Sequence, residues 1–416
     1  MMPVEDISKY LVDDTIFNKI SKRFISMDPD DMKYNNRLLE QLFDKLIDAM
    51  KEQSPLFANT FQRIVWAGSY YKGTRYGQPE EYDLNFVINL PIKEQRFSTD
   101  QPGFIKIHTD WKDRYSYYTS KYPKVYQEIN RFIDEQSYLN QEKFRTWMEG
   151  IFSKVANANG ENNIIKFDGH APIKMKKSGP AFTLKCQSPN GKTIDIDVVP
   201  VLVFPNRTPP PRCSKLDILE SHPNRYWSAV PKPLDNRGGF GDIPYRYWRL
   251  CFYECEKKLL EDHYYQHMKP VIRQLKKLRD TQKWESVASY YLETLCYNEK
   301  ELFHTSQKNS LTFLFFTMLK KLRVAFINHC IRYYWDDDLN LLENIKNAEV
   351  IKMKGRIDRI LKCIETNIGH DPYAIAKFVL NREQLNCLKN MECVSTAKSD
   401  LESESETASQ WSCVIV

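Results

Sequence analysis

The chain has 416 residues, of which 42% are hydrophobic and 27% are charged, and its formal net charge is +6. This length and composition predict a globular protein with two or three domains, or one large unit of two lobes. Only 14 residues are glycine, which argues against a glycine-rich or turn-dominated architecture. The basic balance permits a polyanionic partner without identifying one.

The ten cysteines are scattered, and no Cys-x-x-Cys pair occurs among them. This pattern predicts free thiols in the cytoplasm and argues against a zinc ribbon. The first residues, MMPVEDISKY, contain neither a basic region nor a long apolar run, so no signal peptide is expected. The longest mainly apolar runs, at 198–204 and 311–319, are shorter than the ~20 residues that span a bilayer, so we expect no transmembrane segment.

The first half of the chain contains a helical pattern followed by strand patterns. Residues 1–55 are predicted to be helical, because apolar side chains from Leu38 to Met50 recur at helical spacing and form one stripe. β-Branched and apolar residues then predict strands, with a helical segment near 124–157 between them. The predicted strands are 63–67, 82–90, 181–186 and 193–204.

The second half of the chain is expected to be mostly helical. Three consecutive prolines at 209–211 require a connection between elements at 205–213. Helical segments are predicted beyond about residue 245, including YWRLCFYECEKKLL and residues 310–335. An α+β fold follows, with a sheet core and N-terminal helix at 1–205, a helical lobe at 206–393, and an acidic tail at 394–416 that is expected to be disordered.

Acidic residues and a glycine-serine pair follow one another between Val65 and Ile88. Glu81 and Asp83 are two apart on a predicted strand, so their carboxylates point to the same face. Two such carboxylates repel each other unless a cation lies between them, and a hard divalent ion such as Mg²⁺ prefers oxygen ligands. Gly68 and Ser69 form a turn where a backbone can approach a phosphate closely.

A third acid is offered by the apolar stretch TIDIDVVPVLVF, which contains Asp195 and Asp197. Burying an acid in such a strand is unfavourable without a partner, and a metal ion would be that partner. An acid at this position could also act as the general base toward a ribose hydroxyl. A pair of metal ions would activate the attacking hydroxyl and stabilise a leaving pyrophosphate.

The segment GSYYKGTRYGQPEEYDLNF resembles the active-site signature of cyclic GMP-AMP synthase and its animal relatives in the Mab nucleotidyltransferase family. Three further segments agree in consistent order over roughly residues 35–335: KMKKSGPAFTLKC with IDIDVVPVLV, then YWRLCFYECEKKLL, then MKPVIRQLK with SYYLETL. The resemblance implies the nucleotidyltransferase fold, with a twisted mixed sheet, a long N-terminal spine helix and a C-terminal helical lobe that completes the nucleotide cleft.

By this resemblance, Glu81, Asp83 and Asp197 would be the catalytic carboxylates that hold two Mg²⁺ or Mn²⁺ ions. Asp197 is preferred to Asp195 because it directly precedes the VVP run. The residues implied in nucleotide binding are Gly68, Ser69, Arg249, Lys269, Ser289 and Tyr290. Without the resemblance, Tyr290 would be taken for a half-buried helix aromatic and Lys269 for a solvated lysine.

The activity implied is the joining of ATP and GTP into cyclic GMP-AMP by an innate immune sensor in antiviral defence, whose product is read by a STING-type receptor. Residues 256–268, which lead into the MKPVIRQLK segment, contain His263 and His267 but no cysteine, so no structural zinc is expected. Family members of this insect type resemble receptors for double-stranded RNA. The alternatives are a catalytically silent Mab-family binding protein and a linear oligoadenylate synthase-like enzyme.

The last four residues, Cys413 to Val416, match the C-a-a-X pattern of prenylation. Cys413 is therefore a candidate lipidation site that would attach the tail to a membrane. The segment before it is acidic, where a polybasic second signal would be expected.

Overall fold

The computed structural model describes residues 7–27, 29–77, 81–92, 95–109, 123–161, 164–178, 181–187, 193–234 and 243–390. The chain divides into two compact units, which we describe separately. The sheet unit comprises residues 27–266 and 332–341, and the helical unit comprises 1–26, 267–331 and 342–416. The expected division after residue 205 therefore falls inside the sheet unit. The predicted tail at 394–416, with Cys413, lies outside the described residues.

The α-helices were expected to dominate the start and the second half of the chain. In order they are α1 (Thr15–Ile20), α2 (Pro29–Gln53), α3 (Pro55–Thr60), α4 (Gly68–Lys72), α5 (Pro123–Asn130), α6 (Gln141–Asn159), α7 (Leu216–Ser221), α8 (Tyr253–Glu261), α9 (Met268–Thr281), α10 (Ser289–Asn298), α11 (Leu311–Ile327), α12 (Asn347–Asn367) and α13 (Ala376–Val379). No helix in the described part of the chain combines the length and apolar character needed to cross a bilayer.

The strands form one large mixed sheet and a separate hairpin. In order they are β1 (Phe61–Ala67), β2 (Glu81–Ile88), β3 (Gln95–Ser98), β4 (Phe104–Thr109), β5 (Gly160–Glu161), β6 (Ile164–Ile165), β7 (Ile173–Ser178), β8 (Ala181–Gln187), β9 (Thr193–Pro205), β10 (Tyr226–Val230), β11 (Tyr247–Cys251), β12 (Arg332–Tyr333) and β13 (Asp336–Asn340).

The large sheet has the order β3-β4-β11-β10-β9-β8-β7-β6-β5, and β1 pairs with β2, which in turn pairs with β9. Only the β2–β9 pair is parallel among the described pairs of this sheet, and the others are antiparallel. The β12–β13 hairpin is antiparallel. The mixed sheet and the helical C-terminal region confirm the predicted fold class.

One face of the sheet is apolar and covered by helices of the same unit. Phe43 of α2 contacts Phe86 of β2 with ring centroids 6.0 Å apart, and Phe152 of α6 contacts Phe182 of β8 at 5.0 Å. Because successive strand residues alternate between faces, Asp83 and Thr183 point away from these helices. The predicted apolar stripe of α2 is buried from Leu39 to Met50, so this helix braces the sheet through its packing.

The helical unit is held together by apolar packing and by a few polar contacts. The Asp14 carboxylate, just before α1, accepts hydrogen bonds from the backbone N–H groups of Leu311 and Thr312 at 3.0 and 2.8 Å. These bonds satisfy donors that the first turn of α11 would otherwise leave unpaired. Lys276 of α9 and Glu293 of α10 form a buried ion pair at 2.6 Å.

Two predicted helical segments are wrong at their ends. YWRLC is strand β11, since it pairs with both β10 and β4, and only Tyr253–Glu261 is helical. Tyr247 and Trp248 are both fully buried, and a short run buried on both faces cannot be distinguished from a helix by its pattern. Helix α11 ends at Ile327, and the following residues lead into the β12–β13 hairpin instead of continuing the helix.

The packing of α2 on the sheet gives a stability prediction. Phe43 is 0% exposed and lies against Trp66 and Phe86, so Phe43→Ala should lower the free energy of unfolding by about 3–5 kcal/mol. Tyr34 lies on the same helix but is 53% exposed, so the control Tyr34→Ala should change it by no more than about 0.5 kcal/mol. Urea unfolding of both variants measures this. Equal effects would contradict the packing described.

Candidate active site

The parallel pairing of β2 with β9 determines the geometry of the candidate site. Its register places Glu81 beside Asp195 and Asp83 beside Asp197. Paired residues on neighbouring strands share a face of the sheet, so these four carboxylates line one face. The opposite face of the same strands carries Tyr82, Leu84 and Ile196, all fully buried.

The turn after β1 lies close against the side chain of Asp83. Ala67 is the register partner of Asp83, and Gly68 follows with a φ of +70° that disfavours side chains. A Cβ atom on Gly68 would lie 1.8 Å from Oδ2 of Asp83, so glycine is required for this close approach. The Ser69 carbonyl accepts the N–H groups of Thr74 and Arg75 at 2.9 and 3.0 Å, which closes the turn.

Asp83 lies in an environment that disfavours its charge. Burial raises the pKa of its carboxyl to about 6, and the negative charges of Glu81 and Asp197 add to the shift. The cations Arg75 and Lys72 act in the opposite direction. Since carboxylates are stabilised by nearby positive charge, this position would gain from a bound cation.

The neighbouring strand β8 distinguishes the two acids of β9. Lys185 forms an ion pair with Oδ2 of Asp195 at 2.5 Å, which compensates that charge within the protein. Thr183 donates a hydrogen bond to Oδ1 of Asp197 at 2.6 Å. Asp197 thus has a neutral partner and lies beside Asp83, whereas Asp195 already has a cation.

The residues on this face fit a divalent metal in their chemistry. Glu81, Asp83 and Asp197 supply carboxylate oxygens, which Mg²⁺ and Mn²⁺ prefer. The pKa of Asp83, raised mainly by burial, shows that Arg75 and Lys72 do not fully compensate its negative charge. Within the described ranges, however, no group of three His, Cys, Asp or Glu residues is gathered closely enough to hold an ion. The carboxylates therefore share a face without forming a preassembled cage.

Of the predicted nucleotide-binding residues, Gly68, Ser69 and Arg249 lie in the sheet unit. Arg249 lies on strand β11, opposite Val230 of β10 and Phe104 of β4, and is half-buried. Cys251, two residues later, has a pKa raised by burial. Sequence reasoning placed Arg249 on a helix, and the strand changes the direction in which its side chain can reach.

Lys269, Ser289 and Tyr290 lie in the helical unit and are half-buried there. Lys269 is in the first turn of α9, and Ser289 and Tyr290 begin α10. The Ser289 hydroxyl accepts a hydrogen bond from Arg279 at 2.7 Å. Part of the basic run of α9 is therefore used inside this unit, as Lys276 and Arg279 illustrate, and does not form a solvated stripe.

A buried ion pair near the turn was missed by sequence reasoning. Lys72, the last residue of α4, bonds to Glu256 of α8 at 2.5 Å. The two residues are 184 positions apart in the sequence. The segment GSYYK shows that a lysine follows the turn, but nothing in the sequence could indicate which acid it meets.

Comparison with known proteins identifies the family of this chain. The Mab-21 protein nucleotidyltransferase domain matches residues 70–262, and the Mab-21 protein HhH/H2TH-like domain matches residues 267–359. A cyclic GMP-AMP synthase-like receptor from Microplitis demolitor is 35% identical over 93% of this chain and 72% of its own length. The chain belongs to the Mab-21 nucleotidyltransferase family. It is thus a nucleotidyltransferase of the kind that resembles cyclic GMP-AMP synthase.

Further relatives in this family cover most of the chain. Receptors of the same name from Trichogramma pretiosum and Aethina tumida are 32% and 30% identical over 95% and 92% of this chain, and over 81% and 96% of their own lengths. The matched Mab-21 nucleotidyltransferase domain contains both β2 and β9, so every candidate carboxylate lies inside it.

The raised pKa of Asp83 gives a prediction for the metal-free protein. The pKa of Asp83 is about 6 in the folded protein and 3.8 ordinarily. The contribution of its protonated carboxyl to the free energy of unfolding is therefore complete below pH 3.8 and is lost as the pH rises through 6. At pH 7.5 in EDTA, Asp83→Asn should therefore raise the free energy of unfolding by up to about 3 kcal/mol. It should also flatten the dependence on pH between about 4 and 7.

Thermal unfolding over this pH range measures the effect, with Asp195→Asn as the matched control on the same face. Asp195 has a cationic partner, so its substitution should not stabilise the protein. Addition of Mg²⁺ should raise the melting temperature of the wild type more than that of Asp83→Asn. Equal responses of the two proteins to Mg²⁺ would argue against a cation beside Asp83.

Proposed function

We propose that the protein joins ATP and GTP into cyclic GMP-AMP with release of pyrophosphate, as an innate immune sensor of nucleic acid. The observation that carries this proposal is the position of Asp83, which lies beside Asp197 on adjacent parallel strands and against the Gly68 turn. The names of its insect relatives, cyclic GMP-AMP synthase-like receptors, support the same reaction.

The residues of the sheet unit would divide the chemistry among them. The backbone of Gly68 and the hydroxyl of Ser69 would bind the terminal phosphates of a nucleotide. Glu81, Asp83 and Asp197 would hold Mg²⁺ or Mn²⁺, whose positive charge stabilises the negative charge that develops during phosphoryl transfer. Asp197 can also accept the ribose hydroxyl proton on Oδ2, because its Oδ1 is bonded to Thr183.

The remaining nucleotide contacts are proposed from the family resemblance. Arg249 and Lys269 would contact a base or phosphate, Ser289 would add a hydrogen bond, and Tyr290 would stack on a base. Ser289 can still donate its hydroxyl proton, because its oxygen accepts from Arg279. The cyclic product would then be the ligand of a STING-type receptor.

The catalytic role of the carboxylates is tested by substitution. Glu81→Ala with Asp83→Ala should reduce product formation by at least about 10³-fold, because metal binding and orientation are both lost. The measurement is chromatography of the products from labelled ATP and GTP with Mg²⁺ or Mn²⁺. Lys185→Met with Asp195→Asn is the control, since it removes an ion pair from the same face without touching the proposed ligands.

The same chromatogram distinguishes the alternatives. A cyclic dinucleotide that contains adenine and guanine supports the proposal, and a linear oligoadenylate supports the synthase-like alternative. A wild-type protein that makes neither product, with or without nucleic acid, would favour the catalytically silent Mab-family protein. Undiminished synthesis by the Glu81→Ala, Asp83→Ala protein would contradict the assigned residues.

A basic groove in the sheet unit supports double-stranded RNA as the activating ligand. Helices α5 and α6 enclose a groove of about 620 Å³, rimmed by Lys124, Arg131, Lys143 and Lys154. All four side chains are exposed, and none forms an ion pair with a residue that the structure describes. Exposed cations of this kind attract phosphates.

The groove lies on the helix-covered face of the sheet, opposite the carboxylates. Trp147 of α6 lines it and contacts Phe57 of α3 at 6.4 Å, and Phe57 in turn contacts Phe86 of β2. The acid in the groove, Glu128, already accepts hydrogen bonds from Ser54 and Trp147, both at 2.9 Å. Double-stranded RNA is recognised mostly by its shape and backbone, which such a basic surface suits.

Charge reversal tests the groove. Arg131→Glu with Lys143→Glu should weaken binding of a double-stranded RNA at least about tenfold near physiological salt, and should lower RNA-stimulated product formation in parallel. Fluorescence anisotropy of a labelled duplex measures the binding. Lys22→Glu with Arg23→Glu changes the net charge equally at two exposed residues outside the groove. Equal losses in both proteins would show only a general effect of charge.

A further inference from the structure

A buried ion pair fastens the turn that follows β1. Nζ of Lys72 lies 2.5 Å from Oε2 of Glu256, and the side chains of the two residues are only 6% and 3% exposed. Lys72 ends the five-residue helix α4 that begins at Gly68, and Glu256 lies on α8. The pair therefore joins the proposed phosphate-binding turn to an element far away in the sequence.

The other oxygen of Glu256 is fixed as well. Nε1 of Trp335 donates a hydrogen bond to Oε1 of Glu256 at 3.0 Å. Trp335 lies between β12 and β13 and stacks on Phe252, with ring centroids 4.3 Å apart and planes inclined by 14°. Both oxygens of the carboxylate are thus occupied, and the ring that donates to one of them is held by packing.

A second contact ties α8 to the strand before the turn. The hydroxyl of Tyr253 donates to the carbonyl of Trp66 at 2.8 Å, and Nζ of Lys72 lies 5.4 Å from the centre of the Tyr253 ring. Trp66 is two residues before Gly68. Helix α8 therefore contacts the chain on both sides of the Gly68–Ser69 turn.

Placing two charges out of water is unfavourable unless their geometry and hydrogen bonds compensate, and a neutral pair of similar size would often be as stable. Stability alone therefore does not explain a buried pair at this place. We infer that Lys72 is a positioning residue, which acts through Glu256 to hold the Gly68–Lys72 turn in the shape that receives a nucleotide triphosphate. The inference rests on the proposed function, since it assigns the turn to triphosphate.

Loss of this contact should weaken nucleotide binding more than it slows the chemical step. If the turn adopts its binding shape only part of the time, the apparent Kd for nucleotide rises as the fraction of protein in that shape falls. Because the turn contacts the nucleotide in both the bound complex and the transition state, the loss appears in KM and leaves kcat nearly unchanged. A residue that only supports the fold would instead alter stability without this selective effect.

The test removes both charges together, because Lys72→Met alone would leave Glu256 buried without a partner and could prevent folding. In the full-length protein, Lys72→Met with Glu256→Gln keeps an acceptor for Trp335. We expect a melting temperature near that of the wild type and a Kd for a non-hydrolysable ATP analogue, measured with Mg²⁺ by calorimetry, raised at least about tenfold. KM should rise equally, with kcat within about threefold.

Lys72→Arg, with Glu256 retained, should have a Kd near that of the wild type, because the guanidinium keeps the charge and the donors. The matched control is Arg246→Met with Asp134→Asn, a pair in the same unit at 2.5 Å whose side chains are 12% and 8% exposed. It should leave the Kd unchanged.

A folded double variant with a wild-type Kd overturns the inference, and so does an equal rise of Kd in the control. The Kd is measured without turnover, so a wild-type protein that binds nucleotide but forms no product contradicts the proposed reaction alone.

Discussion

The parallel pairing of β2 with β9 is the constraint on which the candidate site depends. This pairing brings Asp83 of one segment beside Asp197 of another, 114 positions later in the printed sequence. A shift of the register by one residue would turn one set of acids toward the helices. The buried faces of Tyr82, Leu84 and Ile196 oppose such a shift, because it would expose them and bury carboxylates.

The negative charges on the carboxylate face are compensated unequally within the protein, and this difference is consistent with a metal site at Asp83. Asp195 has Lys185 as a cationic partner. Asp83 is instead buried and lies near the negative charges of Glu81 and Asp197. A buried carboxyl near like charges is destabilised in its charged form, and such groups concentrate at functional sites. The chain belongs to the Mab-21 nucleotidyltransferase family. Metal ions beside the phosphates stabilise the charge that develops in phosphoryl transfer, and the acids on this face are suited to hold them.

The turn at Gly68 connects the site to more distant parts of the sheet unit. Gly68 can approach Asp83 only because it lacks a side chain, and the turn behind it is fastened through Lys72 to Glu256 and Trp335. Trp335 belongs to the segment 332–341, which the chain adds to this unit after tracing part of the helical unit. The shape of the proposed phosphate-binding turn thus depends on residues from three separate stretches of sequence.

Local patterns predicted the features that depend on local spacing. The acids at 81 and 83 share a face because strands alternate, and the stripe from Leu38 to Met50 predicted α2 for the same kind of reason. Strand β11 was mistaken for a helix because its buried residues give no periodic signal. The parallel β2–β9 register and the Lys72–Glu256 pair were not predictable, since both arise from contacts between distant segments.

In the proposed site, the paired acids of β2 and β9 hold divalent cations beside the Gly68 turn. Anomalous diffraction from crystals grown with Mn²⁺ and a non-hydrolysable ATP analogue tests it most directly. Manganese peaks are expected about 2.0–2.4 Å from carboxylate oxygens of Glu81, Asp83 and Asp197, with the triphosphate against Gly68 and Ser69. Manganese bound through Asp195 after displacement of Lys185, or a triphosphate bound with no manganese beside Asp83, would contradict it.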